Sequence, residues 1–167
     1  MTGPQPPRLT TPRALLVDDL KRLLTVETTL ARAMLPKLIQ EVQNEELKGA
    51  LQQHHGETEQ HVANVEQAFQ ELGEQPEGKD APGLDGLKSE HESGVTEVAP
   101  TLREAFDAGA AIGSEHYEIA IYSTALLLAK SLGEPRVESL LRDNLDQEFA
   151  ALKKLETIAE KLTTNSA

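Results

Sequence analysis

The chain has 167 residues, 26% of them charged and 3% aromatic, a formal net charge of -12 and no cysteine. That length supports one domain with a substantial core, and a leucine- and alanine-rich composition with few aromatics suits helices better than sheets. The acidic balance argues against general nucleic-acid or anionic-membrane binding. The lack of cysteine excludes disulfides, thiolate metal sites and cysteine nucleophiles, and no apolar run approaches the roughly 20 residues of a membrane span.

Residues 1–11 carry three prolines and little to bury, which predicts a disordered tail. They lack the apolar stretch of a secretory signal, so a cytoplasmic location is expected. Thr11-Pro12 reads as a helix start, an N-cap followed by proline at the first helical position. The first helix then extends to about Glu41 on a stripe of Leu16, Leu20, Leu23, Glu27, Leu30, Met34 and Leu38. Asn44 caps a second helix reaching about Leu72. That helix is apolar at both ends, through Leu47, Leu51, Val62, Val65, Phe69 and Leu72, and polar between them at His54, Glu57, Thr58 and His61.

Residues 73–83 read as a loop, and residues 84–98 as a short helix or an irregular segment containing Glu90. Pro100 opens a third long helix, alanine-rich and apolar on more than one face, which Gly133 ends. Glu115, Glu118 and Tyr122 share one side of it. Pro135 starts the fourth helix, whose stripe is Val137, Leu141, Leu145, Glu148, Leu152, Leu155, Ala159 and Leu162. Tight turns within each helix pair, and a connection of about 27 residues between the pairs, predict a ferritin-like four-helix bundle over residues 12–163: two antiparallel hairpins and one long crossover holding a short extra helix.

The informative residues are the glutamates inside these stripes. Glu27, Glu57, Glu118 and Glu148 stand mid-helix, one on each helix, with His54 and Glu115 close by. An ionised carboxylate in a helix core is costly unless something pairs with it. Inward carboxylates from four helices with an imidazole beside them form the ligand logic of a dinuclear iron or manganese site. The usual Glu-x-x-His pair is missing. The second helix offers His54-x-x-Glu57 and His61, and the fourth offers Glu148 with Leu152 one turn on. The plain alternatives are buried carboxylates paired with basic residues or a partner subunit, a core histidine bonded to a carboxylate, and edge glutamates that reach solvent.

The strings EHYEIAIY (Glu115 to Tyr122) and HHGET (His54 to Thr58), with the mid-helix glutamates, resemble the bacterial YciE/YciF family of ferritin-like proteins, a former domain of unknown function. The resemblance covers roughly residues 14–160. It implies a ferritin-like fold, often dimeric, a di-metal site and a link to bacterial stress responses. The family pattern carries to Glu27, His54, Glu57, Glu115, Glu118 and Glu148 as metal ligands. Glu90 lies where the family tends to have an acid. Leu152 departs from the pattern, since relatives often carry aspartate there, and His61 is a substitute ligand from the neighbouring helix.

The expected function is therefore a stress-associated di-metal carboxylate protein, a homodimer holding two iron (or manganese) ions that react with oxygen or peroxide. The alternative is a non-catalytic iron-binding or helical scaffold protein with a weakened site.

Overall fold

The computed structural model describes residues 9–164, so residues 1–8 of the predicted tail lie outside the described region. Helix α1 (Pro12–Thr29) passes through a π turn (Leu30–Met34) into α2 (Leu35–Glu41). Then come α3 (Glu45–Glu71), α4 (Pro82–Gly94), a 3-10 turn (Pro100–Leu102), α5 (Arg103–Leu132) and α6 (Pro135–Thr164). Helix α1 packs against α3 and α5, and α6 packs against the same two, which gives the cyclic order α1, α3, α6, α5.

The ends fix the directions. Arg13, at the start of α1, donates to the Leu72 carbonyl at the end of α3 and lies 3.8 Å from Glu134 in the α5–α6 turn. At the far end Arg103 meets Glu41 at 3.0 Å. Both α3 and α5 are thus antiparallel to α1 and parallel to each other, so the crossover must travel the length of the bundle. This is the two-hairpin, one-crossover arrangement that the sequence predicts, and the short crossover helix is present as α4. Local chemistry agrees. The Thr11 hydroxyl caps the Ala14 amide at 3.1 Å, Asn44 caps Leu47 at 2.9 Å, and Gly133 ends α5 with a positive φ of 70°.

The crossover is tied down along its path. Lys79 Nζ reaches Asp18 Oδ1 at 2.7 Å, and the Lys79 amide donates to Thr25 Oγ1 at 3.0 Å. Two glycines let α4 lie on aromatic rings of α5. A Cβ at Gly83 would come within 2.6 Å of Tyr117, and one at Gly94 within 2.5 Å of Phe106. His91 stacks on Phe106 and bonds Asp107 Oδ1 at 2.8 Å.

The first helix differs from expectation at the π turn, and Pro36 supplies the reason. Proline lacks an N–H and its ring presses on the carbonyl four residues back, so a regular α-helix cannot pass through it. The helix widens instead, with the Leu35 amide bonding the Leu30 carbonyl. The five-residue bond passes over the Ala31 carbonyl, whose own partner in that spacing would be Pro36. His55 Nε2 occupies this gap, 2.8 Å from the Ala31 oxygen. The extra residue also turns the stripe. Leu30 and Leu35 are buried, whereas Met34 and Leu38, predicted on the stripe, are half-buried.

Replacing His55 with alanine leaves a backbone carbonyl without its side-chain donor. The expected cost is about 1 kcal/mol, seen as a fall of roughly 2–4 °C in Tm for a chain of this size. An unchanged Tm would mean that water serves the π turn equally well.

Candidate metal centre

Each helix delivers its polar residues at mid-height. On α1 the stripe that buries Leu20 and Leu23 carries Glu27 inward one turn later, and on α6 Leu141 and Leu145 lead to Glu148. Helix α5 turns Ser114, Glu115, Glu118 and Tyr122 inward. Helix α3 buries His54, Thr58 and His61 along one line of its surface, spaced by four and three. Glu27, His61, Glu118 and Glu148 have no solvent exposure.

Two convergent sets result. Ligand atoms of His54, Glu115, Glu118 and Glu148 all lie within 4.8 Å of one another, and those of Glu27, His61 and Glu148 do the same. Glu148 belongs to both. His54 Nε2 is 3.1 Å from Glu115 Oε1 and 3.8 Å from Glu148 Oε2. His61 Nδ1 is 2.9 Å from Glu148 Oε1 and 3.5 Å from Glu27 Oε1.

Around these sets is a shell of hydrogen bonds. His61 Nε2 faces Gln147 Oε1 at 2.8 Å, so a neutral ring directs its Nδ1 lone pair at the carboxylates. The Tyr122 hydroxyl donates to Glu27 Oε1 and accepts from Asn144 Nδ2 at 2.9 Å. Asn144 Oδ1 in turn accepts from Asn64 Nδ2 at 2.6 Å. The Thr58 hydroxyl turns back to the His54 carbonyl at 2.8 Å.

The predicted residues divide. Glu27, His54, Glu115, Glu118 and Glu148 meet in the two sets, and His61, a substitute candidate, joins the second. Glu57 lies outside both. It sits at the edge of the α3 face, its side chain 26% exposed, with Oε2 3.6 Å from His54 Nδ1. Glu90 is exposed on α4 and outside both sets. Leu152 is buried, an apolar residue one turn beyond Glu148. Asn144, Gln147 and Ser114 escaped the sequence reading. Asn144 carried a usable signal, a polar residue one turn before Glu148 on a stripe otherwise made of leucine.

The electrostatics are unbalanced. Glu27, Glu115, Glu118 and Glu148 share a buried space with two imidazoles, and among the described residues no lysine or arginine forms an ion pair with any of them. Oε2 of Glu27, of Glu115 and of Glu148 have no hydrogen-bond partner, Glu148 Oε1 has only the His61 ring beside it, and Glu118 has only the Ser114 hydroxyl. Burial lifts the Glu118 carboxyl well above its ordinary range, and repulsion from Glu148, Glu27 and Glu115 adds to the rise. Burial likewise pushes Glu148 up to about 8, although His61 pulls the other way. Burial alone would lower His61, but its bonds to Glu148 and Glu27 reverse that and lift it to about 10. Burial alone would lower His54 as well, but the Glu115 and Glu57 carboxylates beside it outweigh that and raise it. Without metal, the cluster keeps protons at neutral pH.

Buried carboxylate oxygens without donors, two imidazoles and no fixed cation suit a hard divalent ion. Fold and site together define a class: four-helix-bundle proteins with a carboxylate–histidine cluster able to hold metal in the core. Residues 11–167 match the family described as Domain of unknown function (DUF892), and the chain belongs to it. It is 31% identical over 137 residues to Protein YciF of Escherichia coli K12, covering 81% of this chain and 82% of that one. The crystal structure of the E. coli stress protein YciF superposes with a TM-score of 0.85 at 29% identity, covering 93% of this chain and 98% of that one. YcfI, described as a putative structural protein from Rhodopseudomonas palustris, superposes with a TM-score of 0.86 at 34% identity, covering 90% and 96%.

Two outcomes are expected of the metal-free protein. Glu148 and His61 both bind protons more tightly when folded. Their stabilisation is therefore full at low pH and is lost as pH rises from about 4.5 towards 10. Thermal melts between pH 5 and 9 should show Tm falling with EDTA present and rising with a bound divalent ion, because metal displaces those protons. A Tm independent of pH would contradict the charge imbalance. Glu118→Met, which replaces a buried carboxyl with an apolar chain of similar size, should stabilise the metal-free fold by about 1–4 kcal/mol in denaturant unfolding.

Proposed function

We propose that the cluster holds two divalent ions, iron in the first instance, and that the protein is a stress-associated metal-carboxylate protein acting on oxygen or peroxide. The observation that carries this is the set of buried carboxylate oxygens without donors, shared among three helices and backed by two imidazoles. Four buried carboxylates match the four positive charges of two divalent ions. When bound, a pair of redox-active ions supplies the two electrons that reduce a peroxide bond.

The chain's own residues set the conditions for that chemistry. Glu148, common to both sets, would be a ligand shared by the two positions. Tyr122 and Asn144 fix Glu27, and Gln147 fixes the His61 tautomer. Glu57 steadies His54 from the solvent side. The leucines that flank the cluster along α1 and α6 shield Glu27 and Glu148 from solvent. Manganese suits the same donors, and availability decides between the two.

The proposal extends to a cytoplasmic homodimer that binds neither nucleic acid nor membrane. Zero cysteine and the acidic charge support this, as does the absence, among the described residues, of a helix long and apolar enough to cross a membrane. Leu127 and Phe149, 67% and 50% exposed, supply apolar surface for a partner copy.

Two observations favour a scaffold reading instead. Leu152 closes the α6 side with an apolar group, and Thr58, one turn before His61, is bonded to its own helix. Anaerobic ferrous loading followed by desalting separates the two readings. About two ions per chain should remain on the wild type and almost none on Glu27→Ala/Glu148→Ala. One ion per chain would assign a lost position to Leu152, and none would leave the helical scaffold.

A further inference from the structure

Above the His54–Glu115 side of the cluster lies a cavity of about 280 Å³, walled by the π turn, α2, α4 and α5, with His54 of α3 at its base. Three sequence features open it. The π turn swings Met34 and Leu38 away from the core, Ala110, Ala111 and Ser114 are small, and α4 crosses above as a separate wall. Polarity is banded. The middle is Leu30, Met34, Leu38, Leu87, Ala110 and Ala111; the mouth carries Lys37, Lys88, Glu41 and Glu92; the floor is His54, Ser114 and Glu115. Glu115 Oε2 has no hydrogen-bond partner there, and the Ser114 hydroxyl has only the Glu118 carboxyl within reach; both Ser114 and Glu115 are more than nine-tenths buried.

We propose that this cavity binds an unbranched aliphatic molecule with one neutral O–H head, an alcohol or alkyl hydroperoxide, seated head-down on Ser114 and Glu115. At the roughly 30 Å³ that a water-sized group occupies in a condensed phase, the cavity takes about nine such groups, the size of a medium-length chain. The apolar band matches the chain. A free carboxylate oxygen asks for a donor, which an O–H supplies and a fatty carboxylate does not. The mouth carries two lysines and two glutamates, with Lys37 3.8 Å from Glu92, and so offers no net pull for an anionic ligand. That this molecule is the one the cluster acts upon rests on the metal reading; its binding does not.

The test is calorimetric titration of the full chain, treated with EDTA, with 1-hexanol, 1-octanol, 1-decanol and octanoate, and metal content assayed on parallel samples. Affinity should rise about fourfold per methylene up to a chain of about nine groups and then level off, with octanoate at least tenfold weaker than octanol. Ala110→Trp, at a half-buried wall position, should abolish octanol binding while ferrous loading stays as in wild type. Ser114→Ala should weaken octanol several-fold with unchanged helical circular dichroism. Absent or non-saturable binding, or binding indifferent to Ala110→Trp, overturns the proposal even if two ions load. Octanoate equal to octanol overturns the assignment of the head. Octanol binding by a chain whose parallel samples retain no iron after ferrous loading sustains the cavity and sinks the metal reading alone.

Discussion

Everything near the middle of this bundle answers to one constraint: four carboxylates share a buried space with too little positive charge. An arginine or lysine would neutralise them, but among the described residues the surrounding helices pair neither with the cluster. The folded chain balances the deficit with protons held on Glu118, Glu148 and the two imidazoles. A divalent cation balances it better, since one ion replaces several protons and satisfies several orphaned oxygens at once. The apolar ends of the helices carry the stability that this arrangement gives away. Leu16, Leu20 and Leu23 on one side, with Leu141, Val65 and Phe69 facing them, form a continuous core at the end where α3 and α5 finish.

Much of this was legible in the chain because helical periodicity is a strong signal. The stripes placed Glu27 and Glu148 inward with no knowledge of the fold, since leucines one turn away on each side leave a helix little choice. Gly133 and Pro135, and Asn44 with Glu45, fixed the turns for local reasons. The crossover helix was half-visible, because Pro82 starts it but only Leu84 on it is fully buried.

What periodicity could not show was the partner each polar residue would find. Glu57 and His61 both neighbour His54 along α3, yet a difference of one turn and a few tens of degrees sends His61 to Glu148 and leaves Glu57 at the solvent edge. Tyr122 looks like a space-filling aromatic until α1 brings Glu27 to its hydroxyl. The π turn was hidden for a different reason. Pro36 announces a disturbance, but whether a helix kinks, breaks or widens depends on who accepts the displaced bonds, and His55, from a neighbouring helix, decides that here.

Helix α4 walls the cavity through Leu87, Lys88, His91 and Glu92, yet supplies none of the cluster's converging atoms. It rests on α5 through glycine-to-ring contacts and a histidine–aspartate bond, not through a leucine seam. Access and charge balance are thus written on different stretches of chain. A family built on this plan can re-cut its entrance by altering some thirteen residues of α4, while the carboxylates beneath keep their count, their spacing and their appetite for a cation.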